Sequence, residues 1–113
     1  MIFQLTYVSK TLRSWSKAEI YDLAFRSSGA NMKLGVSGIL VYKDNSFMQV
    51  LEGKKNSVTA LFKKIETDLR HQEVTLLNEV ELEKADYRDW SMTFLNPDTK
   101  KFTNVASAFK YKL

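Results

Sequence analysis

The chain has 113 residues, of which 44% are hydrophobic and 27% are charged. This length suits one domain with a modest core, and 4 glycines and 1 proline are too few for a disordered or low-complexity chain. The absence of cysteine excludes disulfides, thiolate nucleophiles and cysteine-ligated clusters. Because His71 is the single histidine, we expect no transition-metal site either.

The positive charge of the chain is concentrated near its C-terminus. Residues 1–96 carry 13 basic and 12 acidic side chains, whereas residues 97–113 carry 4 lysines and 1 aspartate. A nearly neutral body argues against a nucleic-acid-binding face built into the fold. We expect one domain over 1–96, followed by a short basic tail or cap over 97–113. Without a run of about 20 apolar residues or a basic leader, we expect no membrane span and no signal peptide, and a cytoplasmic location.

The first third of the chain predicts a strand and then a helix. Apolar residues alternate with polar ones over 2–9, which is typical of a strand. Ser16 and Glu19 have the spacing of a capping box, which starts a helix. Two serines followed by Gly29 predict the end of this helix, so Asn31 is expected just beyond it as a turn or C-cap residue.

The middle of the chain predicts a hairpin and a second helix. Residues 37–52 read as two strands around a polar turn at 43–46, and both strands are mostly apolar. Such strands are expected to be central and covered at least partly on both faces. Helical spacing of apolar residues predicts a helix over 55–69, and strand-like runs follow at 74–82 and 90–95.

The predicted order of elements is βαββαββ. By fold rules this order gives an α+β, ferredoxin-like fold, with a five-stranded mixed sheet and two helices on one face. The pattern over 103–111 allows a short additional helix at the C-terminus. Because this fold carries many unrelated functions, the function must be argued from side chains.

One polar side chain stands out in the predicted core. The pleat places Gln49 on the same face as Phe47 and Leu51, where a buried amide without a hydrogen-bond partner would cost about 1–3 kcal/mol. Tyr7, on the first strand, is a candidate partner. Alternatively, Gln49 lies at a solvent-exposed edge and Tyr7 is an ordinary core aromatic, and the spacing of the residues leaves both interpretations open.

The sequence contains no recognisable catalytic motif. It contains no glycine-rich phosphate loop, nucleophile–base pair or metal-ligand spacing, so we do not expect an enzyme. An acylphosphatase-like hydrolase on this fold would need a glycine-rich anion loop, whereas residues 9–13 supply Arg13 without glycine. An RNA-binding module would place exposed aromatic and basic residues on a central strand, which residues 46–51 lack.

Several short motifs occur together in a specific order. They are residues 5–9 (LTYVS), Asn31 with residues 35–38 (GVSG), residues 47–53 (FMQVLEG), residues 68–71 (DLRH) and residues 89–92 (DWSM). In this order and spacing they resemble the BLUF family of flavin-binding blue-light sensors, over nearly all of residues 2–95.

The resemblance implies FAD bound noncovalently between the two helices, with its ring over the sheet. By motif position, Tyr7 and Gln49 would form a light-sensitive hydrogen-bond network with the flavin, with Trp90 and Met92 beside it on the fifth strand. Asn31 would hold the polar edge of the ring. The other positions matched near the flavin are Ser27, Lys64, Asp68, Arg70 and His71.

The resemblance also implies a light sensor that does not catalyse a reaction on a substrate. In the mechanism described for the family, light moves an electron and a proton from the tyrosine to the flavin, the glutamine rearranges, and the absorption shifts to the red. Because 18 residues follow Leu95, we expect no fused output domain and a signal that passes through a homodimer or a separate partner protein. The alternative is a non-photoactive interaction domain on the same fold, against which the presence of Tyr7, Asn31 and Gln49 argues.

Overall fold

The computed structural model describes four stretches of the chain, residues 1–43, 45–68, 72–87 and 93–95. For Lys43 and for residues 93–95 only the backbone is described. The predicted tail over 97–113 and the predicted helix over 103–111 lie outside these stretches.

The described residues form an α+β domain with two helices, which confirms the predicted class. In chain order the elements are β1 (Ile2–Lys10), α1 (Lys17–Leu34), β2 (Ser37–Lys43), β3 (Ser46–Gly53), α2 (Lys55–Glu66), β4 (Gln72–Leu82) and β5 (Thr93–Leu95). Of the last predicted strand, 90–95, three residues are described. Neither described helix is long and apolar enough to cross a membrane.

The sheet has the strand order β4-β1-β3-β2-β5. β1 pairs antiparallel with β3 and with β4, and β2 pairs antiparallel with β3. It follows that β1 runs parallel to β2 with β3 between them, and β3 runs parallel to β4 with β1 between them. Two such split β-α-β units are the ferredoxin-like arrangement. The short β5 continues the sheet parallel to β2.

The start of α1 has the predicted capping box. The Ser16 hydroxyl accepts a hydrogen bond from the Glu19 backbone N–H at 3.2 Å, and the Glu19 carboxylate accepts one from the Ser16 backbone N–H at 3.0 Å. Two backbone donors that the helix itself cannot satisfy are therefore satisfied at its first turn.

The predicted end of α1 at Gly29 is wrong. The helix continues to Leu34 and ends at Gly35, whose φ of 69° and ψ of 30° are left-handed and suit a residue without Cβ. The Gly35 N–H donates to the Met32 carbonyl oxygen at 3.2 Å, which closes the last turn. Gly29 is tolerated inside the helix, and Asn31 belongs to its last turns rather than to a loop beyond it.

Both faces of the central strands are buried, as the apolar hairpin predicts. The core under the helices consists of Phe3, Leu5, Tyr7, Ile20, Ala24, Val36, Leu40, Phe47, Leu51 and Val58. On the opposite face Ile39, Val41, Met48 and Val50 are fully buried, and so is Thr6. The cavity described below lies on the helix-covered face.

Candidate functional site

A partly open cavity of about 210 Å³ lies between α1, α2 and the sheet. Its apolar lining consists of Leu23, Ala30, Leu40, Leu51, Leu61 and Ile65, and its polar lining consists of Ser27, Asn31, Gln49, Lys64 and Asp68. A mostly apolar cleft with a few convergent polar groups is the usual form of a small-molecule site.

Asn31 reaches this cavity from the last turns of α1. The side chain is almost completely buried, with 2% of its residue surface exposed. The backbone carbonyl oxygen of Asn31 accepts a hydrogen bond from the Val36 backbone N–H at 2.9 Å, as the chain leaves the helix for β2. The helix end therefore fixes the backbone of Asn31 while its side chain lines the cavity.

Gln49 reaches the cavity from the middle of β3. This strand is the third of five in the sheet order, and the Gln49 Cα lies opposite Tyr7 on β1 and opposite Leu40 on β2. Because β3 is central, the interpretation of Gln49 as a residue at a solvent-exposed edge is wrong. The amide is buried on the helix-covered face, at the wall of the cavity.

Tyr7 lies in the core opposite Gln49. It has no exposed surface, and its ring packs against Phe62 of α2 with ring centres 5.4 Å apart and planes inclined at 51°. Burial raises the pKa of the Tyr7 phenol well above its ordinary value, and the Asp68 carboxylate raises that pKa further. The phenol therefore keeps its proton throughout the physiological pH range.

The charged lining of the cavity lies at the end of α2. Lys64, in the last turn of the helix, is exposed, and Asp68, beyond the helix end, is half-buried. Ser27 faces them from α1 as part of the same lining. Of the other predicted site residues, Arg70, His71, Trp90 and Met92 lie outside the described residues.

Motif reasoning found the polar part of the cavity and missed the apolar part. Leu23, Leu61 and Ile65 have helical spacing, which predicts that they belong to the core. The structure places them at the cavity, where they are half-buried. No local sequence signal distinguishes an apolar residue that contacts another side chain from one that faces a space between helices.

The fold and the cavity together define a class of protein, a ferredoxin-like domain with a mostly apolar cavity between its helices and its sheet. The family model for sensors of blue light using FAD, BLUF, matches residues 2–93. The chain therefore belongs to the BLUF family.

Individual relatives agree with this assignment. The chain is 30% identical over 90 residues to photoactivated adenylate cyclase subunit beta of Euglena longa, covering 79% of this chain and 10% of that protein. It thus spans about a tenth of the length of the curated relatives it matches.

Solved structures are similar over nearly the whole chain. The BLUF protein BlrB in its dark state superposes with a TM-score of 0.80 at 27% identity, covering 96% of this chain and 92% of that one. Klebsiella pneumoniae BlrP1 with FMN and cyclic diGMP superposes with a TM-score of 0.80 at 26% identity, covering 97% of this chain and 30% of that one.

Proposed function

We propose that this chain senses blue light through FAD bound noncovalently in the cavity between α1, α2 and the sheet. The observation that carries the proposal is the placement of the buried Tyr7 opposite Gln49 on adjacent central strands, where Gln49 lines a cavity that Asn31 also lines. A buried phenol and two amides next to an apolar cleft suit a flat, mostly apolar ring with one polar edge.

The lining supports a flavin in one orientation. The cavity volume of about 210 Å³ is smaller than that of typical ligand pockets, which is about 300–1,000 Å³. The flavin ring would therefore lie inside the cavity, while the rest of the molecule would extend outward. Leu61 and Ile65 would contact the ring faces, and Asn31 with Gln49 would bind its polar edge. Lys64, at the mouth, would pair with phosphate, because an exposed lysine near a helix end is free to follow an anionic group.

Tyr7 and Gln49 have the chemistry that the sensing step needs. A bound flavin supplies absorption of blue light and an acceptor for an electron and a proton from the phenol. The raised pKa of Tyr7 keeps that proton in place in the dark. The Gln49 amide has a donor end and an acceptor end, so its rearrangement exchanges the two at the cavity wall. A changed hydrogen-bond pattern at the flavin edge would then shift the absorption.

The output of this domain is proposed to be a change in protein contacts rather than a reaction. The sensor domain would span 1–96 and the short tail 97–113, with the signal passing to a second copy or to a separate partner. Trp90 and Met92 would lie beside the network on a fifth strand of the sheet, with Arg70 and His71 near the flavin. A cytoplasmic location is part of the same proposal.

The chromophore can be tested by titrating flavin-free protein with FAD, FMN and riboflavin under equilibrium conditions. FAD and FMN share the ring, the ribityl chain and one phosphate, so a preference for FAD measures what its adenosine portion contributes. We expect one flavin per chain, with riboflavin binding weakest because it lacks phosphate. Failure of all three flavins to bind would contradict the proposal, and equal binding of FAD and FMN would correct the choice of flavin.

A further inference from the structure

A second polar pair lies on the face of the sheet opposite the cavity. Glu52 of β3 has 1% of its surface exposed, and Gln4 of β1 has 3%. The two residues are direct partners in the β1–β3 pairing, and their side chains are joined by a hydrogen bond from Gln4 Nε2 to Glu52 Oε2 at 2.7 Å. A carboxylate buried to this degree needs several hydrogen bonds, because desolvation of its charge is otherwise very unfavourable.

The other two hydrogen bonds to Glu52 come from the chain that follows β4. The Asp86 backbone N–H donates to Glu52 Oε2 at 2.9 Å, and the Tyr87 backbone N–H donates to Glu52 Oε1 at 2.6 Å. Gln4 Nε2 also donates to the Asp86 carboxylate at 3.0 Å. No lysine or arginine among the described residues forms a salt bridge with Glu52. The carboxylate is thus held by neutral donors, two of which belong to one short segment.

This segment is the connection between β4 and β5. It lies against Glu52 at Asp86 and Tyr87, and burial together with the Asp86 and Glu52 carboxylates raises the pKa of Tyr87 to about 12. Six residues further along the chain, β5 begins at Thr93. Glu52 therefore links Asp86 and Tyr87, which precede β5 in the chain, to a central strand of the sheet by hydrogen bonds.

The two polar pairs occupy the same two strands. Tyr7 lies opposite Gln49 and Gln4 lies opposite Glu52, three positions away along each strand. Three strand residues span about 10 Å, and an odd spacing places the two pairs on opposite faces. A displacement of β3 at Gln49 is therefore also a displacement of the Glu52 carboxylate.

We propose that Glu52 is a positioning residue that transmits the light-driven change at Gln49 to β5. The inference rests on the proposed function. When β3 moves, the Asp86 and Tyr87 N–H groups follow the carboxylate, because moving the chain is easier than leaving a buried charge without donors. A change at the chromophore on one face of the sheet would in this way move Asp86 and Tyr87 on the other face.

The test compares Glu52→Gln with Glu79→Gln, an identical change at an exposed position on β4. Glutamine keeps the shape of Glu52 but has one acceptor oxygen, so at least one of the three hydrogen bonds is lost. Two quantities are measured on FAD-loaded protein, the red shift of the flavin band and the light-minus-dark difference in hydrogen exchange of peptides covering 86–95. The first reports the chromophore, and the second reports β5.

We expect Glu52→Gln to keep the red shift, while its light-minus-dark difference in hydrogen exchange over 86–95 falls about five-fold or more. Glu79→Gln should keep both the red shift and the exchange difference. A full exchange difference in Glu52→Gln would overturn the inference. Absence of the red shift in the unmodified protein would instead overturn the proposed function. If Glu52→Gln does not fold, Gln4→Leu removes a donor from the same carboxylate, and the same loss is expected.

Discussion

The two faces of the sheet carry similar polar pairs in different surroundings. On the helix-covered face, Gln49 lines a cavity between the helices and the sheet, and its strand partner Tyr7 is buried beside it. On the opposite face, the Glu52 carboxylate accepts hydrogen bonds from the Gln4 side chain and from two backbone N–H groups. A buried polar residue that lines a cavity is placed to exchange hydrogen bonds with a ligand, whereas a buried carboxylate that accepts from backbone N–H groups is placed to hold the segment that supplies them.

The largest expected effect is the loss of the light response in Tyr7→Phe. The ring and its packing on Phe62 remain, so flavin should still bind, but the donor of the electron and proton loses its hydroxyl. The reversible red shift should disappear from the absorption spectrum. Gln49→Leu should retain flavin and lose the shift as well, because a leucine fills a similar volume without an amide to rearrange.

Tyr42→Phe is the matched control for this prediction. The Tyr42 hydroxyl accepts a hydrogen bond from the Trp15 backbone N–H at 3.0 Å and donates one to the Asn45 side chain at 3.0 Å. Its removal should lower the free energy of unfolding by about 1 kcal/mol and leave the red shift intact. A full reversible shift in Tyr7→Phe would show that the photochemical role belongs to another residue.

The close approach of β2 and β3 can be tested with two glycines. A Cβ at Gly38 would collide with the Val50 carbonyl oxygen of β3, so Gly38→Ala should lower the free energy of unfolding by about 3 kcal/mol. A Cβ at Gly29 meets nothing within 4 Å, so Gly29→Ala should raise that free energy by about 1 kcal/mol. Urea unfolding measures both, and equal effects of the two substitutions would contradict the close approach of β2 and β3.

Asn31→Ala should weaken flavin binding while leaving the light response of the bound fraction. Loss of one hydrogen bond at the polar edge of the ring corresponds to about a ten-fold higher dissociation constant. Equilibrium titration with FAD measures the change. Asn56→Ala, at an exposed position in the first turn of α2, is the control and should bind FAD like the unmodified protein. An unchanged affinity of Asn31→Ala for FAD would show that Asn31 does not contribute to flavin binding.

The smallest expected effect is a loss of stability at alkaline pH. The pKa of Tyr7 is raised in the folded protein, so the folded state favours the neutral phenol and the unfolded state ionises first. This contribution is complete below pH of about 10 and decreases as the pH rises above it, by about 1 kcal/mol over the first unit. Unfolding in urea over this range should show a shallower decrease for Tyr7→Phe, and identical slopes would contradict the buried phenol.

Local sequence patterns were sufficient for most of the fold. Alternation and helical spacing predicted the strands and helices, and Ser16 with Glu19 predicted the start of α1. The end of α1 was wrong because two serines and Gly29 have the composition of a helix stop. A glycine inside a helix costs only about 1 kcal/mol relative to alanine, so the helix continues through Gly29, and the left-handed Gly35 ends it instead.

The site was predictable in part, for a physical reason. Gln49 stood out because an amide in an apolar strand needs a partner, and the family motifs then indicated Asn31 and Tyr7. Glu52 carries a similar signal in the same strand, but its partners at Asp86 and Tyr87 are backbone groups. Backbone donors have no side-chain signature, so only the folded chain reveals which segment a buried carboxylate holds.

The central claim is that Tyr7 and Gln49 make a bound flavin sensitive to light, and the light-minus-dark absorption spectrum tests it most directly. Purified protein loaded with FAD is recorded in the dark, after blue light, and again after return to darkness. We expect the flavin band to shift to longer wavelength under light and to recover fully in the dark. A flavin spectrum that is identical in all three conditions, or that changes only by irreversible bleaching, would contradict the account.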